Sequence, residues 1–283
     1  MVTETFIHVG YGKTATSWLQ EKIFSKLSKE IFLGKRKNDF PRWLLKINYL
    51  DPLAYISQRD DIKNKLSKYY ENKKKIIISS EAFTNLGSIH NQAYRIKDLF
   101  ENPKIIIVLR EPINWLISNY KYCVEYENFY LNFEDYLDFG KYRTPFALEK
   151  RPPFYIPDLF YDEVVLFYNN LFGEKNILVL KYEDFIINPE NFQNLLEEFT
   201  EIALPNFREN SKIKVLKSKS DSIISDMRLS NLKKMVDFTT GKISNSKYDL
   251  INKIPKRPLI KNETKEELIE IYKSKCSKFY PEL

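Results

Sequence analysis

The clearest indication of the fold of this 283-residue chain is residues 5–17, TFIHVGYGKTATS. The run at 5–9 has the β-branched and apolar residues of a short strand, and the residues that follow the loop recur at helical spacing. Between them, Gly10 and Gly12 form a turn whose backbone N–H groups can point at an anion, and Lys13 adds a positive charge. The segment therefore predicts a strand–loop–helix unit with an anion cradle.

Glycine is scarce in the chain, at 7 of 283 residues, so the pair in this loop indicates a backbone that requires glycine. A nucleoside-triphosphate P-loop would need another glycine five residues before Gly12, where Ile7 stands, and the Walker pattern is therefore excluded. The residues alone leave two interpretations open. The loop is either an anion cradle or a tight strand-to-helix turn with an exposed lysine at Lys13.

Apolar strand patterns alternate with helix patterns through most of the chain. Strands are predicted at 5–9, 76–78, 104–109 and 176–180. Helices are predicted at 18–27, 62–70 and 94–100, from Pro112, at 133–139 and 159–171, and from Asn188. Residues 38–52, which are aromatic and interrupted by prolines, are predicted to be an irregular segment or lid. The alternation predicts an α/β fold with a central parallel sheet flanked by helices.

We expect one domain over residues 1–283, with residues 205–283 forming helices and loops packed on it. A hydrophobic content of 43% with 29% charged residues excludes general disorder. The longest aliphatic run, 105–109, is far shorter than the ~20 residues that span a bilayer, and no basic segment followed by an apolar stretch opens the chain. We therefore expect neither an integral membrane segment nor a signal peptide.

The net charge limits the kinds of ligand that are expected, and the cysteine content indicates the cellular compartment. The 45 basic and 38 acidic residues give a net charge of +7, which suits nucleic acid or a small polyanion. Because the lysines are scattered, we expect no nucleic-acid partner. Cys123 and Cys276 are far apart and lack metal-ligand spacing, which is typical of reduced thiols in a cytoplasmic protein. The sequence leaves the oligomeric state open.

Two further strand ends carry polar residues that could act with the cradle, because ligands of parallel sheets bind at the carboxyl ends of the strands. Arg110 ends one strand and Ser118 follows in the next helix, and both residue types suit a phosphate. Arg110 could instead pair with Glu111 or Glu81. Glu81 follows another strand and could act as a general base, form an ion pair, or cap a helix.

Together these segments resemble the 3′-phosphoadenosine 5′-phosphosulfate (PAPS)-dependent sulfotransferases, in particular their soluble bacterial branch. The first family signature is similar to G-x-x-K-[ST]-G-T-[ST]-x-L, and residues 10–19 read GYGKTATSWL. The second is an arginine at a strand end with a serine eight residues later, as at Arg110 and Ser118. Residues 79–81, SSE, and residues 179–184, VLKYED, resemble further family segments.

The resemblance implies two binding regions for the cosubstrate. The 5′-phosphosulfate would be held by the loop residues Gly10, Gly12, Lys13, Thr14, Ala15, Thr16 and Ser17. A second group would hold the remainder of the nucleotide around its 3′-phosphate: Arg110, Ser118, Tyr182, Ser211 and Lys212. The chain departs from the family at Ala15, where relatives usually keep glycine, and the methyl group is expected to shift the turn.

For catalysis, the resemblance implies in-line transfer of the sulfuryl group to an acceptor hydroxyl or amine. The reaction would leave 3′-phosphoadenosine 5′-phosphate (PAP) and need no metal. Glu81 would be the general base, where many animal members have a histidine, and Lys13 would neutralise charge on the leaving oxygen. His8 is the third candidate catalytic residue, and its place inside a strand predicts that it packs or lines the cradle.

The acceptor is expected to be a small molecule or a glycan. Aromatic residues in the flanking segments could stack on it or belong to the core: Phe40, Trp43, Tyr49, Tyr122, Tyr126, Phe129 and Tyr130. Two other functions remain open. One is a nucleotide kinase with a variant P-loop, which would need ATP and Mg²⁺, and the other is a catalytically silent nucleotide-binding module.

Overall fold

The computed structural model of the chain describes residues 3–28, 31–34, 44, 50–70, 73–84, 89–141, 155–211, 219–240 and 259–283. The strands among them are β1 Glu4–His8, β2 Phe32–Gly34, β3 Lys75–Ser79, β4 Lys104–Leu109 and β5 Ile177–Lys181. They form one sheet in the order β2-β3-β1-β4-β5, and each pairing is parallel. The strand that precedes the cradle therefore lies at the centre of the sheet.

The helices are α1 Thr16–Trp18, α2 Pro52–Tyr70, α3 Ile89–Leu99, α4 Pro112–Tyr126, α5 Phe133–Lys141, α6 Tyr161–Phe172, α7 Tyr182–Ile187, α8 Pro189–Thr200, α9 Phe207–Ser211, α10 Asp221–Thr240 and α11 Asn262–Lys275. The short α1 continues as a π-helical turn, Leu19–Ile23, and a 3₁₀ turn, Phe24–Lys26. Other 3₁₀ turns span Glu81–Thr84, Ile156–Leu159 and Glu174–Asn176. None of these described helices is long and apolar enough to cross a membrane.

The apolar runs form the central strands because both faces of a parallel sheet are buried. Residues 76–78 and 105–109 are almost completely inaccessible to solvent, as are Phe6 and Ile7 of β1. His8, the last residue of β1, is aligned with Ser79 of β3 and Ile106 of β4. Because the strands are parallel, their carboxyl ends point to the same edge of the sheet, and β4 runs on from Ile106 to Leu109 before its loop begins.

The chain divides into two compact units, Met1–Glu111 with Glu163–Val215, and Pro112–Asp162 with Leu216–Leu283. The first unit contains the sheet. Its core includes Trp18, whose ring centroid lies 4.6 Å from that of Phe185 and 5.3 Å from that of Phe207. These contacts connect the helical segment after the cradle to the helices that follow β5.

The second unit has an aromatic core of its own. The ring of Tyr120 lies 5.3 Å from those of Phe133 and Tyr136, in edge-to-face arrangements that aromatic pairs favour. The buried side chain of Asn231 in α10 donates to the carbonyls of Val124 and Phe129, at 2.8 and 3.1 Å. The Asn231 bonds thus tie α10 to the end of α4.

The predicted α/β fold class, with its parallel sheet and N-terminal strand–loop–helix, is confirmed. The predicted strands agree with β1, β3, β4 and β5 to within one residue at each end. The strand β2 was not predicted, because its three residues are too few to show a periodic pattern. The single domain expected over residues 1–283 stays a prediction.

The helix predictions need two corrections. Helix α2 begins at Pro52, ten residues before the predicted start at 62, because the carboxylate of Asp51 accepts hydrogen bonds from the first N–H groups, at 2.9 and 3.0 Å. Helix α3 begins at Ile89 rather than at 94. The predicted irregular segment 38–52 lies largely outside the described residues.

Candidate active site

The loop after β1 requires glycine at one of its two glycine positions. A Cβ atom added at Gly10 would collide with Oγ1 of Thr16 and would lie 3.0 Å from Nε2 of His8. A Cβ atom added at Gly12 would meet nothing within 4 Å. Close packing therefore explains why glycine is needed at Gly10, as predicted. Nothing in the described surroundings of Gly12 requires a glycine there.

Two other residues give the loop its curvature. Lys13 and Ala15 have φ angles of 68° and 61°, in the left-handed region that favours glycine. Ala15 is also the residue that precedes α1. The glycine that the family resemblance leads one to expect at position 15 thus corresponds to a left-handed position, and the alanine of this chain adopts that conformation too.

The hydroxyl groups of the loop are turned towards its backbone. Oγ1 of Thr14 donates to the carbonyl oxygen of Tyr11 at 2.5 Å, and Oγ1 of Thr16 donates to the same oxygen at 3.3 Å. Both threonine side chains are buried. These bonds close the loop on itself, and they place the two hydroxyls 3.4 Å apart.

Arg110 joins the ends of three strands. Nη1 of Arg110, just beyond β4, donates to the carbonyl oxygen of Lys13 in the loop after β1, at 3.0 Å. The guanidinium also lies over the ring of Tyr182, just beyond β5, at 4.8 Å from the centroid. The sequence predicted these three residues separately, and the structure brings them together.

The turn that contains Glu81 is attached to the same loop. Glu81 opens the 3₁₀ turn after β3 and is partly exposed. At the end of that turn, Oγ1 of Thr84 donates to the carbonyl oxygen of Gly10 at 2.7 Å. The hydrogen bond fixes the Glu81 turn against the first residue of the cradle. Thr84 was not among the predicted residues.

His8 is the last residue of β1 and is completely buried. Its Nδ1 atom is 2.8 Å from the hydroxyl of Ser79, which also accepts a hydrogen bond from Nε2 of Gln20 at 3.1 Å. Burial lowers the pKa of His8 from 6.5 to about 4, because the charged imidazolium would lose its hydration. His8 is therefore a neutral side chain at physiological pH, which argues against a role as a cationic acid.

Comparison with protein families shows the family to which this chain belongs. Residues 3–279, nearly the whole chain, match the sulfotransferase domain. The chain belongs to the sulfotransferase family. This result confirms the resemblance drawn from the loop and the Arg110 segment, and with it the enzyme class.

Solved structures share the fold of this sulfotransferase. A sulfotransferase from Alicyclobacillus acidocaldarius aligns with 83% of this chain and 96% of its own, at 17% identity and a TM-score of 0.54. Mouse sulfotransferase SULT7A1, complexed with PAP, aligns with 96% of this chain and 84% of its own, at 14% identity and a TM-score of 0.50. A comparison with curated protein sequences found no match.

The remaining predicted binding residues of this sulfotransferase are Ser17, Ser118, Ser211 and Lys212. Ser118 is a partly buried residue of α4 and belongs to the second unit. Ser211 ends α9, and Lys212 lies outside the described residues. Ser17 follows Thr16 in α1 and is partly buried. The roles proposed for these residues stay predictions.

The aromatic residues that could contact an acceptor differ in their exposure to solvent. Phe129 is buried in the core of the second unit. Tyr122 and Tyr126 are exposed, and their ring centroids lie 5.0 Å apart on α4. The remaining candidates are the partly buried Tyr130 and, outside the described residues, Phe40, Trp43 and Tyr49.

Sequence reasoning did not find Gln20. The side chain is buried on the helical segment after the cradle and donates to both the carbonyl and the hydroxyl oxygen of Ser79, at 3.2 and 3.1 Å. Gln20 stands between Leu19 and the charged pair Glu21 and Lys22, so its sequence context does not mark it as buried. The partner could not be predicted, since it lies 59 residues away on β3.

Proposed function

We propose that this sulfotransferase moves the sulfuryl group of PAPS to a hydroxyl or amine of a small-molecule or glycan acceptor, by in-line displacement. The hydrogen bond from Arg110 to the carbonyl oxygen of Lys13 carries the proposal. It joins the two segments that resemble cosubstrate signatures, so that a phosphosulfate group and a 3′-phosphate could be bound by one continuous surface. Membership of the sulfotransferase family supports the same reaction.

The described residues fit the donor. A loop curled by two left-handed residues, Lys13 and Ala15, suits an anion, because such turns direct successive N–H groups to one side. Lys13 adds a cation to that loop. Arg110 suits the 3′-phosphate, since a guanidinium has five N–H donors and forks onto phosphate oxygens. Tyr182, which already packs against Arg110, would lie beside the nucleotide.

The residues of this chain would position the reacting groups and stabilise the charge that develops during the transfer. PAPS supplies the sulfuryl group and leaves as PAP. Glu81 would accept the proton of the acceptor at its carboxylate, and Thr84 would hold the Glu81 turn through its bond to Gly10. The ammonium group of Lys13 would stabilise negative charge on the leaving oxygen. We propose that no metal takes part.

A transfer assay with radiolabelled PAPS tests the proposed function. The protein is incubated with ³⁵S-PAPS and a pool of hydroxyl and amine acceptors, and transferred label is counted and identified. We expect transfer by the wild type, and a loss of roughly a hundredfold or more in Glu81→Gln, because general-base catalysis contributes that much. The affinity of Glu81→Gln for PAP, measured by calorimetry, should be unchanged. Glu101→Gln, at an exposed glutamate of the same unit, is the matched control.

Three outcomes would contradict parts of this proposal. Full transfer by Glu81→Gln would remove Glu81 from the role of base. Thermal stabilisation by ATP with Mg²⁺ but not by PAPS would point to a kinase. Binding of PAP without transfer to any acceptor in the pool, even in a single turnover, would point to a silent binding module.

A further inference from the structure

The contacts between β4 and β5 continue beyond the ends of the two strands. Leu109 and Lys181, the last residues of the two strands, are aligned in the register of the sheet. The residues that follow them also meet, because the guanidinium group of Arg110 lies 4.8 Å from the ring centroid of Tyr182. Arg110 is thus the first residue after β4, and its side chain lies against the first residue after β5.

The next pair of residues holds the backbone of Arg110. Oε1 of Glu183 accepts a hydrogen bond from the backbone N–H of Glu111, at 3.1 Å. This N–H belongs to the peptide group that begins with the carbonyl carbon of Arg110, and a peptide group is planar. The hydrogen bond therefore holds the peptide on one side of Arg110, while the pairing of Leu109 with Lys181 holds the strand on the other side.

The place of this N–H in the chain explains why a side chain serves as its acceptor. The N–H groups at the start of a helix have no acceptor within the helix itself. Helix α4 begins at Pro112, so the N–H of Glu111 lies just ahead of it. A carboxylate makes a stronger hydrogen bond to such a group than a neutral acceptor does. Glu183 thus satisfies a donor that the helix cannot satisfy, directly beside Arg110.

We propose that Glu183 is a positioning residue for Arg110 and keeps its guanidinium ready for the 3′-phosphate of PAPS. The guanidinium already has contacts with the Tyr182 ring and the carbonyl oxygen of Lys13. An arginine that is ordered before the ligand arrives loses less conformational entropy on binding. The inference rests on the proposed function, because it takes Arg110 as a ligand of that phosphate.

Two uncharged replacements of similar length test the hydrogen bond. Glu183→Gln keeps an oxygen that can accept from the N–H of Glu111, whereas Glu183→Met has no strong acceptor. Both lose the negative charge, so the difference between them reports the hydrogen bond alone. Calorimetry measures the dissociation constants of PAP and of adenosine 5′-phosphosulfate, which lacks the 3′-phosphate.

The loss should be specific to the nucleotide that has the 3′-phosphate. We expect Glu183→Met to raise the dissociation constant of PAP roughly five- to tenfold, because part of a charge-assisted contact is lost. The dissociation constant of adenosine 5′-phosphosulfate should change less than about twofold. In Glu183→Gln, both values should stay within about twofold of the wild type. Asp184→Asn, at the exposed neighbouring carboxylate of α7, is the control and should change neither value.

A double-mutant cycle tests whether Glu183 acts through Arg110. In the Arg110→Ala background, Glu183→Met should have no further effect on the affinity for PAP, because the side chain that Glu183 orients is absent. Additive losses would contradict the inference. Glu183→Ala, which removes the acceptor without placing another long side chain there, is the second variant. It should give the same ratio of the two dissociation constants as Glu183→Met.

The outcomes separate this inference from the proposed function. Suppose that PAP binds and that Arg110→Ala weakens it selectively. If neither Glu183→Met nor Glu183→Ala then changes the ratio of the two dissociation constants, only the inference is wrong. Equal weakening of both nucleotides, with a lower melting temperature, would mean that Glu183 only supports the fold. Failure of PAP to bind to the wild type would overturn the inference and the proposed function together.

Discussion

At the scale of single residues, the cradle depends on backbone conformations that alanine and lysine rarely adopt. Lys13 and Ala15 both have positive φ angles, and they flank Thr14, whose hydroxyl closes the loop on Tyr11. The left-handed region costs a residue with a Cβ atom about 1 kcal/mol or more relative to glycine. The surrounding hydrogen bonds must therefore hold a conformation that the residues themselves disfavour.

The substitution Ala15→Gly tests this strain. We expect it to raise the free energy of unfolding by about 0.5–1 kcal/mol, because glycine populates positive φ without a steric cost. Urea denaturation measures the change. The control is Ala54→Gly inside α2, where the same replacement should destabilise by about 1 kcal/mol. Equal destabilisation at both sites would show that residue 15 is not left-handed.

Arg110 is expected to act on both the loop and the nucleotide. In Arg110→Ala, the affinity for PAP should fall roughly ten- to a hundredfold, because a charge-assisted contact to the 3′-phosphate is lost. Adenosine 5′-phosphosulfate, which lacks that phosphate, should lose only a few-fold, through the broken bond to Lys13. Calorimetry with both nucleotides, and with the exposed-site control Arg59→Ala, measures the difference. Equal losses would make Arg110 purely structural.

The buried His8 makes the free energy of unfolding depend on pH in the acid range. The folded pKa of about 4 lies below the usual 6.5, so between these values the unfolded chain binds a proton that the folded chain does not. Stability is therefore complete above pH 6.5 and falls as the pH drops towards 4. Between pH 7 and 4.5 the loss from His8 is about 2 kcal/mol. Urea titrations should show this part of the acid loss disappearing in His8→Gln.

At the scale of secondary-structure elements, the site is built where strands end and turns or helices begin. The turn after β3 is bound to the loop after β1 by Thr84, and the turn after β4 is bound to the helix after β5 by Glu183, whose carboxylate accepts from the backbone N–H of Glu111 at 3.1 Å. Because β3, β1, β4 and β5 are adjacent and parallel, these loops meet at one edge. The element order thus determines which polar residues can cooperate.

Helix α8 shows how far one capping residue supports an element. The side chain of Asn188 accepts from the backbone N–H of Asn191 at 3.0 Å, and Pro189 occupies the first turn. We expect Asn188→Ala to lower the free energy of unfolding by about 1 kcal/mol, while Asn188→Asp should stay close to the wild type. Thermal and urea unfolding test this. An unchanged stability in Asn188→Ala would mean that the cap contributes nothing.

At the scale of the whole molecule, the chain passes between its two compact units three times, after Glu111, Asp162 and Val215. The second of these crossings lies within helix α6, which spans Tyr161–Phe172. The backbone at this boundary is helical, and only the first two residues of α6, Tyr161 and Asp162, belong to the second unit. We therefore propose that the two units act as the single domain expected from the sequence.

Calorimetric unfolding tests the single domain. Ile106→Ala, in the buried β4 of the first unit, should destabilise by about 3 kcal/mol through a cavity. Asn231→Ala, in the second unit, should destabilise by about 2 kcal/mol, since two buried carbonyls lose their donor. We expect each to lower the midpoint of one common transition. Two transitions, each moved by only one of the variants, would mean independent domains.

Short patterns in the amino-acid sequence are enough to predict the local features of this protein. The apolar runs of β3 and β4 predicted buried strands, Asn188 and Pro189 predicted the start of a helix, and the loop signature with the Arg110–Ser118 spacing indicated the sulfotransferase family. These are short-range patterns, in which neighbouring residues carry the information.

Contacts between residues that are distant in the sequence are visible only in the folded structure. The three-residue β2 has no pattern of its own and exists through its pairing with β3. The bond from Arg110 to Lys13 spans 97 residues, and the Gln20–Ser79–His8 chain connects a helix to two strands. Such contacts follow from the order and register of the strands, which depend on packing over the whole sheet. For that reason, the contact between His8 and Ser79 could be seen only in the fold.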